Sequence, residues 1–507
     1  MKKLTFLTTM LAALLMLASC SKKEAAMLVP DDATIVFRLD IAKGAQKSGL
    51  MGNDSEAKKW IKKQVKSTGM EKEMRDKLLA IIDDPTKSGI DFRQPVYIYM
   101  AGDMERDPEV GFVATMASKS DMIQLLESLD APDIEEADGG IRYCEVDRDA
   151  AIIFCDDWFF GGKVDDVDDM IASLKERADG KGTLEGHKAF GQMCSKSGIA
   201  QMLFLFEGLE DLRDFKEMKE QMSEVLPDGV EMKDMAVISD FDMNPGEMTF
   251  TAETVALTKE CEDYFQQSLA AMKDIDASQA KYISDRGLSF FINVDLKKYL
   301  KQMGPLAALY GLDDETVELI EDIADNADGS FALDFFGLEN GNPLFTAYLG
   351  TKNSDLLGMV LQQVGDVDEF EEVGDDQYVV PTDYDYDWDS DDFQRVPTAW
   401  AALGFKNGMT YLSTDRDNVF ATPTKKFPTS EIKGKGAYLR FNADFFNELA
   451  KQSEGSDQKV LKALADIFDS AEMYYGGKMT GVFRIAMKDK KKMPLESIAD
   501  LVKDFLN

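Results

Sequence analysis

Ala33-Thr-Ile-Val-Phe-Arg-Leu-Asp40 is a short run of largely alternating apolar and polar residues that ends in an acidic residue. Such alternation predicts a half-buried strand, and the amphipathic segment that follows predicts a helix capped by Asp40. Similar stretches occur at 199–207, 287–295 and 437–444. Four copies of one strand, cap and helix indicate a scaffold feature, because four equal active sites in one chain would be unusual.

The order of predicted elements repeats in the second half of the chain. A strand pair at 95–116 corresponds to one at 329–349, and the helix start at Ser120 corresponds to one at Ser354. Asn407-Gly408 is a strong signal for a two-residue hairpin turn. We therefore predict an α+β fold of tandemly duplicated units, each a mainly antiparallel sheet with helices packed on one face.

A length of 507 residues is too great for one core and predicts several domains. We predict four segments, which are a lipoprotein signal peptide at 1–19, a membrane-proximal tether at 20–28, a first α+β half at 29–280 and a second at 281–507.

The first twenty residues have the pattern of an export signal. Lys2 and Lys3 precede an apolar stretch, 4–17, that is too short to span a bilayer but typical of a signal-peptide core. It ends in Leu17-Ala-Ser-Cys20, which looks like a bacterial lipobox. Cleavage before Cys20 would remove both lysines and lower the net charge from -37 to -39. Several acyl chains on Cys20 would anchor the protein stably, since each buried methylene contributes about 0.8 kcal/mol. An ordinary signal peptide cleaved elsewhere is the alternative.

The composition limits the possible partners. Hydrophobic residues make up 44% of the chain, as in ordinary globular proteins, while the net charge is -37 and the pI is about 4.4. Such a surface repels phosphate backbones and anionic head groups, so we expect no nucleic-acid binding and no attachment through a basic patch.

Four further cysteines follow Cys20, and none forms a Cys-x-x-Cys pair. Cys144 and Cys155 flank a predicted hairpin turn, where either a cross-strand disulfide or two buried thiols would fit. We favour two thiols. With one histidine in the chain, a zinc site is not expected.

An acidic and aromatic stretch, 383–392, interrupts the second half where the first half has only a short turn. Oxygen-rich clustering suits calcium, although the match to a helix–loop–helix calcium loop is poor. The candidate metal ligands are Asp383, Asp385, Asp387 and Asp389. In an extended strand the aromatic residues would share the opposite face as a ligand platform, formed by Tyr384, Tyr386 and Trp388. A solvated acidic loop is the simplest interpretation, and we expect no other cofactor.

No catalytic constellation is evident. His187 is the sole histidine and lies in a polar segment, and no serine has the surroundings of a nucleophile elbow. A pair of carboxylates of the glycosidase kind can be neither excluded nor located among so many acidic residues. We therefore predict that the protein is not an enzyme.

Several short motifs resemble those of a known family. These are the lipobox, Val29-Pro-Asp-Asp-Ala33, Lys47-Ser-Gly-Leu50, and Asp84-Pro-Thr-Lys-Ser-Gly-Ile-Asp91 followed by Pro95-Val-Tyr97. Together they are similar to a family of large lipoproteins of uncharacterised function from Bacteroidales-type bacteria. The resemblance implies an exported, lipidated and duplicated protein, and it implies no activity.

The sequence thus predicts an exported lipoprotein of the outer membrane, on either the periplasmic face or the cell surface. Its expected role is a non-enzymatic binding or structural module for an unknown protein or glycan. A carboxylate-dependent hydrolase of glycan or peptide, with its site unplaced, is the alternative.

Overall fold

The computed structural model describes most of the chain. The described residues are 25–48, 56–67, 72–129, 131–209, 215–216, 226–301, 314–339, 342–363, 371–386, 395–415, 419–477 and 479–506. The chain divides into two compact units. Unit 1 comprises Met1–Lys216 and Ala236–Asp242, and unit 2 comprises Glu217–Met235 and Met243–Asn507.

Helices flank the strands along both units. The α-helices with both ends in the described ranges are α1 (Ile41–Lys47), α2 (Glu56–Ser67), α3 (Lys72–Asp83), α4 (Lys119–Ser128), α5 (Val167–Ala178), α6 (Lys188–Ser195), α7 (Lys259–Leu269), α8 (Asp314–Asn326), α9 (Asp355–Gln363), α10 (Ala443–Gln452), α11 (Gly455–Ile467) and α12 (Pro494–Leu506). Residues 296–301, directly after Asp295, are also helical. Short 3-10 helices occur at Ala25–Leu28, Pro85–Ser88, Glu207–Leu209, Met232–Asp234, Ala277–Tyr282 and Thr429–Glu431. Of the helices described, none has the length and apolar composition needed to span a bilayer.

Unit 1 is built on an antiparallel sheet. Its strands are β1 (Ala33–Leu39), β2 (Val96–Ala101), β3 (Glu109–Thr115), β4 (Glu135–Ala137), β5 (Ile141–Asp147), β6 (Ala150–Phe154), β7 (Trp158–Lys163), β8 (Ala200–Leu205) and β9 (Met235–Asn244). Pairing places them in the order β9-β8-β1-β2-β3-β7-β6-β5-β4.

Unit 2 has an antiparallel sheet as well. Its strands are β10 (Glu247–Ala256), β11 (Leu288–Asn293), β12 (Ala327–Glu339), β13 (Asn342–Thr351), β14 (Glu371–Gly374), β15 (Gln377–Tyr386), β16 (Arg395–Lys406), β17 (Met409–Ser413), β18 (Ala437–Asn442), β19 (Phe468–Tyr475) and β20 (Thr480–Met487). Pairing gives the order β10-β20-β19-β18-β11-β12-β13-β17-β16-β15-β14.

The two units share one strand order, because β11 to β19 are paired with one another as β1 to β9 are. The predicted α+β class with mainly antiparallel sheet is confirmed. The segment limits at 19, 28 and 280 stay predictions.

Each unit has its own apolar core. In unit 1, α4 packs Met122 and Leu126 onto strand residues such as Val96, Phe154 and Phe159. In unit 2 the core includes Phe291, Tyr348, Tyr411 and Tyr438 from the sheet, covered by segments that contribute Ile275, Ile283, Phe427 and Ile432.

Helix caps explain why several predicted helices begin where they do. Asp40 accepts a hydrogen bond from the Lys43 backbone N–H at 2.9 Å, and Asp295 accepts one from Lys298 at 3.2 Å. Each carboxylate thereby satisfies an N–H that has no partner inside its helix. The fourth copy differs from the prediction, because α10 is capped by Asn442, whose side chain accepts from the Asp444 backbone N–H at 3.0 Å.

Candidate functional site

The residues singled out in the sequence lie largely at or beyond the limits of the described structure. Cys20 falls in 1–24, and Asp387, Trp388 and Asp389 fall in 387–394, all outside the described residues. The backbone of 383–386 forms the end of β15 and pairs with β16, from Asp383 opposite Ala399 to Tyr386 opposite Arg395. Lipidation at Cys20 stays a prediction.

The strand end at 383–386 is irregular. The register shifts between Pro381 and Asp383 and again between Asp383 and Tyr384. A bulge interrupts the strict alternation of side chains along a strand, so the simple division into an acidic and an aromatic face does not follow from the backbone. No group of three potential metal ligands occurs within the described residues. Calcium binding and the aromatic platform stay predictions.

His187 lies at the N-cap position of α6, where the sequence had indicated a polar loop. Burial lowers the pKa of the imidazole, and the nearby Glu207 partly opposes that shift. The helix that follows buries Ala189, Phe190 and Met193, so His187 marks the start of a packed structural element.

Cys144 and Cys155 are separate thiols, as favoured from the sequence. Cys144 is fully buried opposite Ile152 in the β5–β6 pair, and Cys155 follows β6 and is half-buried. Burial raises the pKa of both thiols. A raised pKa keeps a thiol protonated and unreactive.

A row of directly paired polar residues crosses seven strands of unit 2. We call it the polar row, and it consists of Arg484, Glu472, Arg440, Ser289, Asp334, Thr346 and Ser413. All except Arg484 are buried. A buried polar group must find a partner to offset the loss of water, so the contacts of this row decide whether it is structural or a site.

Glu472 holds the charged end of the polar row together. Its carboxylate accepts hydrogen bonds from Arg440 and, at 2.5 and 3.1 Å, from Arg484. Arg440 also donates to Asp285 at 2.9 Å, and Arg484 donates to Glu431 at 2.9 Å. Two guanidinium groups thus meet three carboxylates, and they leave no unpaired cation for a substrate or an anion.

Asp334 lies further along the polar row and has its own hydrogen bonds. Its carboxylate accepts from the Ser284 backbone N–H at 2.8 Å and from the Ser284 hydroxyl at 3.0 Å. Burial raises the pKa of Asp334 to about 6, against the opposing effect of these hydrogen bonds. Thr346 and Ser413 hydrogen-bond to each other at 2.7 Å. The polar row is therefore a closed structural network.

Unit 1 has a comparable buried pair. Arg177 donates to both oxygens of Glu109, at 3.0 and 3.2 Å, while the Tyr99 hydroxyl donates to the same carboxylate at 2.5 Å. Burial raises the pKa of Tyr99 above its usual range. This bidentate pair ties α5 to the sheet and leaves no catalytic group free.

Two open cavities have volumes of about 500 Å³ or more. One, of about 590 Å³, lies at the strand ends of unit 1 and has four acidic residues in its wall, which are Asp31, Asp32, Asp103 and Glu207. These carboxylates are largely exposed. Exposed clusters of acidic residues are expected in a protein of net charge -37. These four carboxylates therefore do not indicate a particular ligand.

The second cavity lies in unit 2, between α11, α12 and the segment that joins β20 to α12. We call it the α11–α12 cavity. Its volume is about 500 Å³, and its walls combine apolar residues (Ala463, Ile467 and Leu501) with charged residues of both signs (Asp466, Lys488, Asp489, Lys492 and Asp500) and Ser497. Ligand sites typically combine an apolar surface with a few convergent polar groups. This cavity is therefore the candidate site.

The charged residues of the α11–α12 cavity differ in whether their side chains have a hydrogen-bond or ion-pair partner. Lys492 and Asp500 form an ion pair at 2.5 Å, and Asp489 accepts from the Lys491 backbone N–H at 2.9 Å. Within the described part of the chain, Lys488 and Asp466 form no side-chain hydrogen bond or ion pair. Lys488 and Asp466 thus remain available at the rim, beside Asp489, whose carboxylate has a backbone hydrogen bond but no ion pair among the described residues.

Sequence reasoning missed this cavity. The cavity depends on how α11 packs beside α12, which local sequence patterns do not show. The cluster Lys488-Asp-Lys-Lys-Lys492 directly before α12 was the one local signal.

Comparisons with known proteins give little functional information. Residues 26–139 match the model of a family described as a domain of unknown function, DUF4836. No curated protein matches the chain. Among solved structures, the one titled "Structure of crystal form I of TP0453" is 9% identical with a TM-score of 0.24, over 50% of this chain and 87% of that chain. A TM-score this low supports no inference about fold or function.

Proposed function

We propose that the protein is an exported lipoprotein, anchored in the outer membrane through acyl chains on Cys20, that acts as a non-enzymatic binding module. The anchor rests on the stretch of residues 1–20, a short cationic segment, an apolar core and Leu17-Ala-Ser-Cys20. The resemblance to large lipoproteins of Bacteroidales-type bacteria supports the same assignment.

The binding role rests on the α11–α12 cavity. This cavity combines an apolar floor with a cation, Lys488, and an anion, Asp466, at its rim. Glu472 and its two arginines, and likewise Arg177 and Glu109, are ion-paired with one another. The Asp334 carboxylate is instead held by two hydrogen bonds from Ser284. Binding, without chemistry on the ligand, is the function that this geometry supports best.

The anchor is tested by Cys20→Ala in the full chain, expressed in a host that processes lipoproteins. The variant should lose radiolabelled fatty acid and leave the membrane fraction, while Cys155→Ala should keep both. An unchanged membrane fraction for Cys20→Ala would contradict the proposal. Protease treatment of intact cells would then show whether the anchored protein faces the periplasm or the cell exterior.

The binding role is tested by screening the purified protein on glycan and peptide arrays, followed by analysis of the bound material. We expect retention of an intact ligand. Release of cleaved glycan or peptide would overturn the non-enzymatic assignment in favour of a carboxylate-dependent hydrolase.

A further inference from the structure

We infer that the α11–α12 cavity binds a zwitterion with an apolar side chain, that is, an apolar α-amino acid or the equivalent groups of a short peptide. This inference rests on the proposed binding function and names the ligand class. It combines two observations, an apolar floor and a rim with opposite unpaired charges.

The floor suits an apolar side chain. Ala463 and Ile467 lie on one face of α11, and Leu501 of α12 completes the surface. The same face of α11 continues to Val460, which is 41% exposed and lies three residues before Ala463. An apolar side chain placed here would gain roughly 25 cal/mol for each Å² removed from water.

The rim suits a zwitterion. Lys488 would meet the ligand carboxylate and Asp466 the ligand ammonium, since the structure gives neither residue an ion-pair partner among the described residues. The neighbouring Lys492 is already neutralised by Asp500 at 2.5 Å. A purely anionic or cationic ligand would satisfy one of these two charges and leave the other unmatched.

Size and exposure set the expected strength. A volume of about 500 Å³ accommodates a small molecule, and the rim charges are exposed, so each contributes at most about 1 kcal/mol. We therefore expect weak binding, with a Kd on the order of 1 mM for a single amino acid.

The ligand class is tested by NMR titration of the full-length protein with leucine and analogues that each lack one feature. Leucine should bind, whereas glycine, N-acetylleucine and leucinamide should each bind about fivefold more weakly. Trileucine keeps both charges but separates them. Tighter binding of trileucine than of leucine would identify a peptide ligand, and the reverse would identify a free amino acid.

The site is tested by Lys488→Met and Asp466→Asn, each of which should weaken leucine binding about fivefold. The matched controls are Lys490→Met and Asp469→Asn, because these two residues form a neighbouring ion pair at 2.9 Å and do not line the cavity. The controls should bind leucine as the wild type does.

Equal binding of leucine, N-acetylleucine and leucinamide would overturn the inference, as would the absence of any leucine binding. If the arrays nevertheless retain an intact ligand of another class, the proposed binding function stands and only this inference fails. If no ligand is retained in any format, both fail.

Discussion

Individual buried charges in this protein are held by complementary charges on neighbouring strands. The Glu472 carboxylate accepts hydrogen bonds from Arg440 of β18 and Arg484 of β20, and Glu472 is only 1% exposed. Asp334 lies in the same row, and its carboxylate accepts hydrogen bonds from the Ser284 N–H and hydroxyl. The first group is matched by charge and the second by hydrogen bonds alone, so we expect them to respond differently to substitution and to pH.

Glu472→Gln should destabilise the protein strongly. Removal of the shared carboxylate charge leaves the buried Arg440 and the half-buried Arg484 partly uncompensated, and breaking a buried ion pair typically costs about 3–5 kcal/mol. Urea unfolding monitored by circular dichroism would measure the loss. The control is Asp263→Asn, which breaks the exposed Lys259–Asp263 pair of α7 and should change stability little. Similar stabilities for the two variants would contradict the structural role of Glu472.

Asp334→Asn should weaken the dependence of the free energy of unfolding on pH. The pKa of Asp334 in the folded protein is about 6, above the value of about 3.9 expected in the unfolded chain. The folded state therefore binds more protons between these values, and its stability falls as the pH rises from about 4 to 6, by on the order of 2–3 kcal/mol. The Asn variant should show a flatter profile in this window when urea midpoints are compared. An identical slope in both proteins would exclude Asp334 as the cause.

At the scale of the elements, the repeated strand-and-helix unit tolerates different capping residues. Asp40 and Asp295 cap their helices, whereas in the fourth copy the cap has moved two residues earlier, to Asn442. Asn442 is buried and its amide also donates to Asp285, at 3.0 and 3.1 Å. Asp444 instead approaches Lys425 at 3.3 Å on the surface.

Asn442→Ala should therefore cost about 1–2 kcal/mol through loss of the cap and of the hydrogen bonds to Asp285, while Asp444→Ala should cost much less. Thermal unfolding of the two variants would rank them. A larger loss for Asp444→Ala would restore the role that the sequence indicated for this residue.

The acidic end of β15 offers a separate test of metal binding. If calcium binds there, millimolar calcium should raise the melting temperature above that in EDTA, because a ligand that binds the folded state stabilises it. Replacement of Asp383, Asp385, Asp387 and Asp389 by Asn should abolish the difference. Equal melting temperatures in calcium and EDTA for the wild type would exclude this site.

Local patterns predicted most of the elements correctly. Alternation predicts strands such as β1 and β11, and the helix predicted to start near Ser120 is α4. Its N-cap is Ser118, whose hydroxyl accepts from the Asp121 backbone N–H at 3.2 Å. α6 was missed because it has only eight residues and includes Gly191, which weakens a helical pattern.

Contacts between distant strands could not be predicted in the same way. The pairing of Arg440 with Glu472 depends on the register of β18 against β19 across two intervening helices. Neither residue is unusual in its own segment. The α11–α12 cavity likewise exists only once the helices are packed.

At the scale of the whole molecule, one strand order supports two different interiors. In unit 1 a shorter polar run crosses three strands through Asp240, Gln201 and Arg38, which are hydrogen-bonded in sequence at 2.7 and 2.5 Å. Beyond Tyr97 it becomes apolar, with Val113 and Phe160. The polar row in unit 2 continues across the sheet, so the two units have diverged in their interiors while keeping their topology.

The high net charge should make stability depend on salt. At -37 the folded chain repels itself, and added salt screens this repulsion over about 10 Å at 0.1 M. We expect the melting temperature to rise between about 10 and 150 mM NaCl. Choline chloride at equal ionic strength serves as the control against specific sodium binding. A fall in melting temperature with either salt would show that attractive ion pairs outweigh the net repulsion.

The buried thiol of Cys144 can report how often the β5–β6 region of unit 1 opens. Cys144 is inaccessible and its pKa is raised, whereas Cys155, at the end of the adjacent strand, is partly accessible. A thiol reagent can reach Cys144 only when the β5–β6 region opens, so its labelling rate reports the frequency of that opening. The labelling rate of Cys144 in the wild-type chain can thus measure local opening of unit 1 without an introduced cysteine.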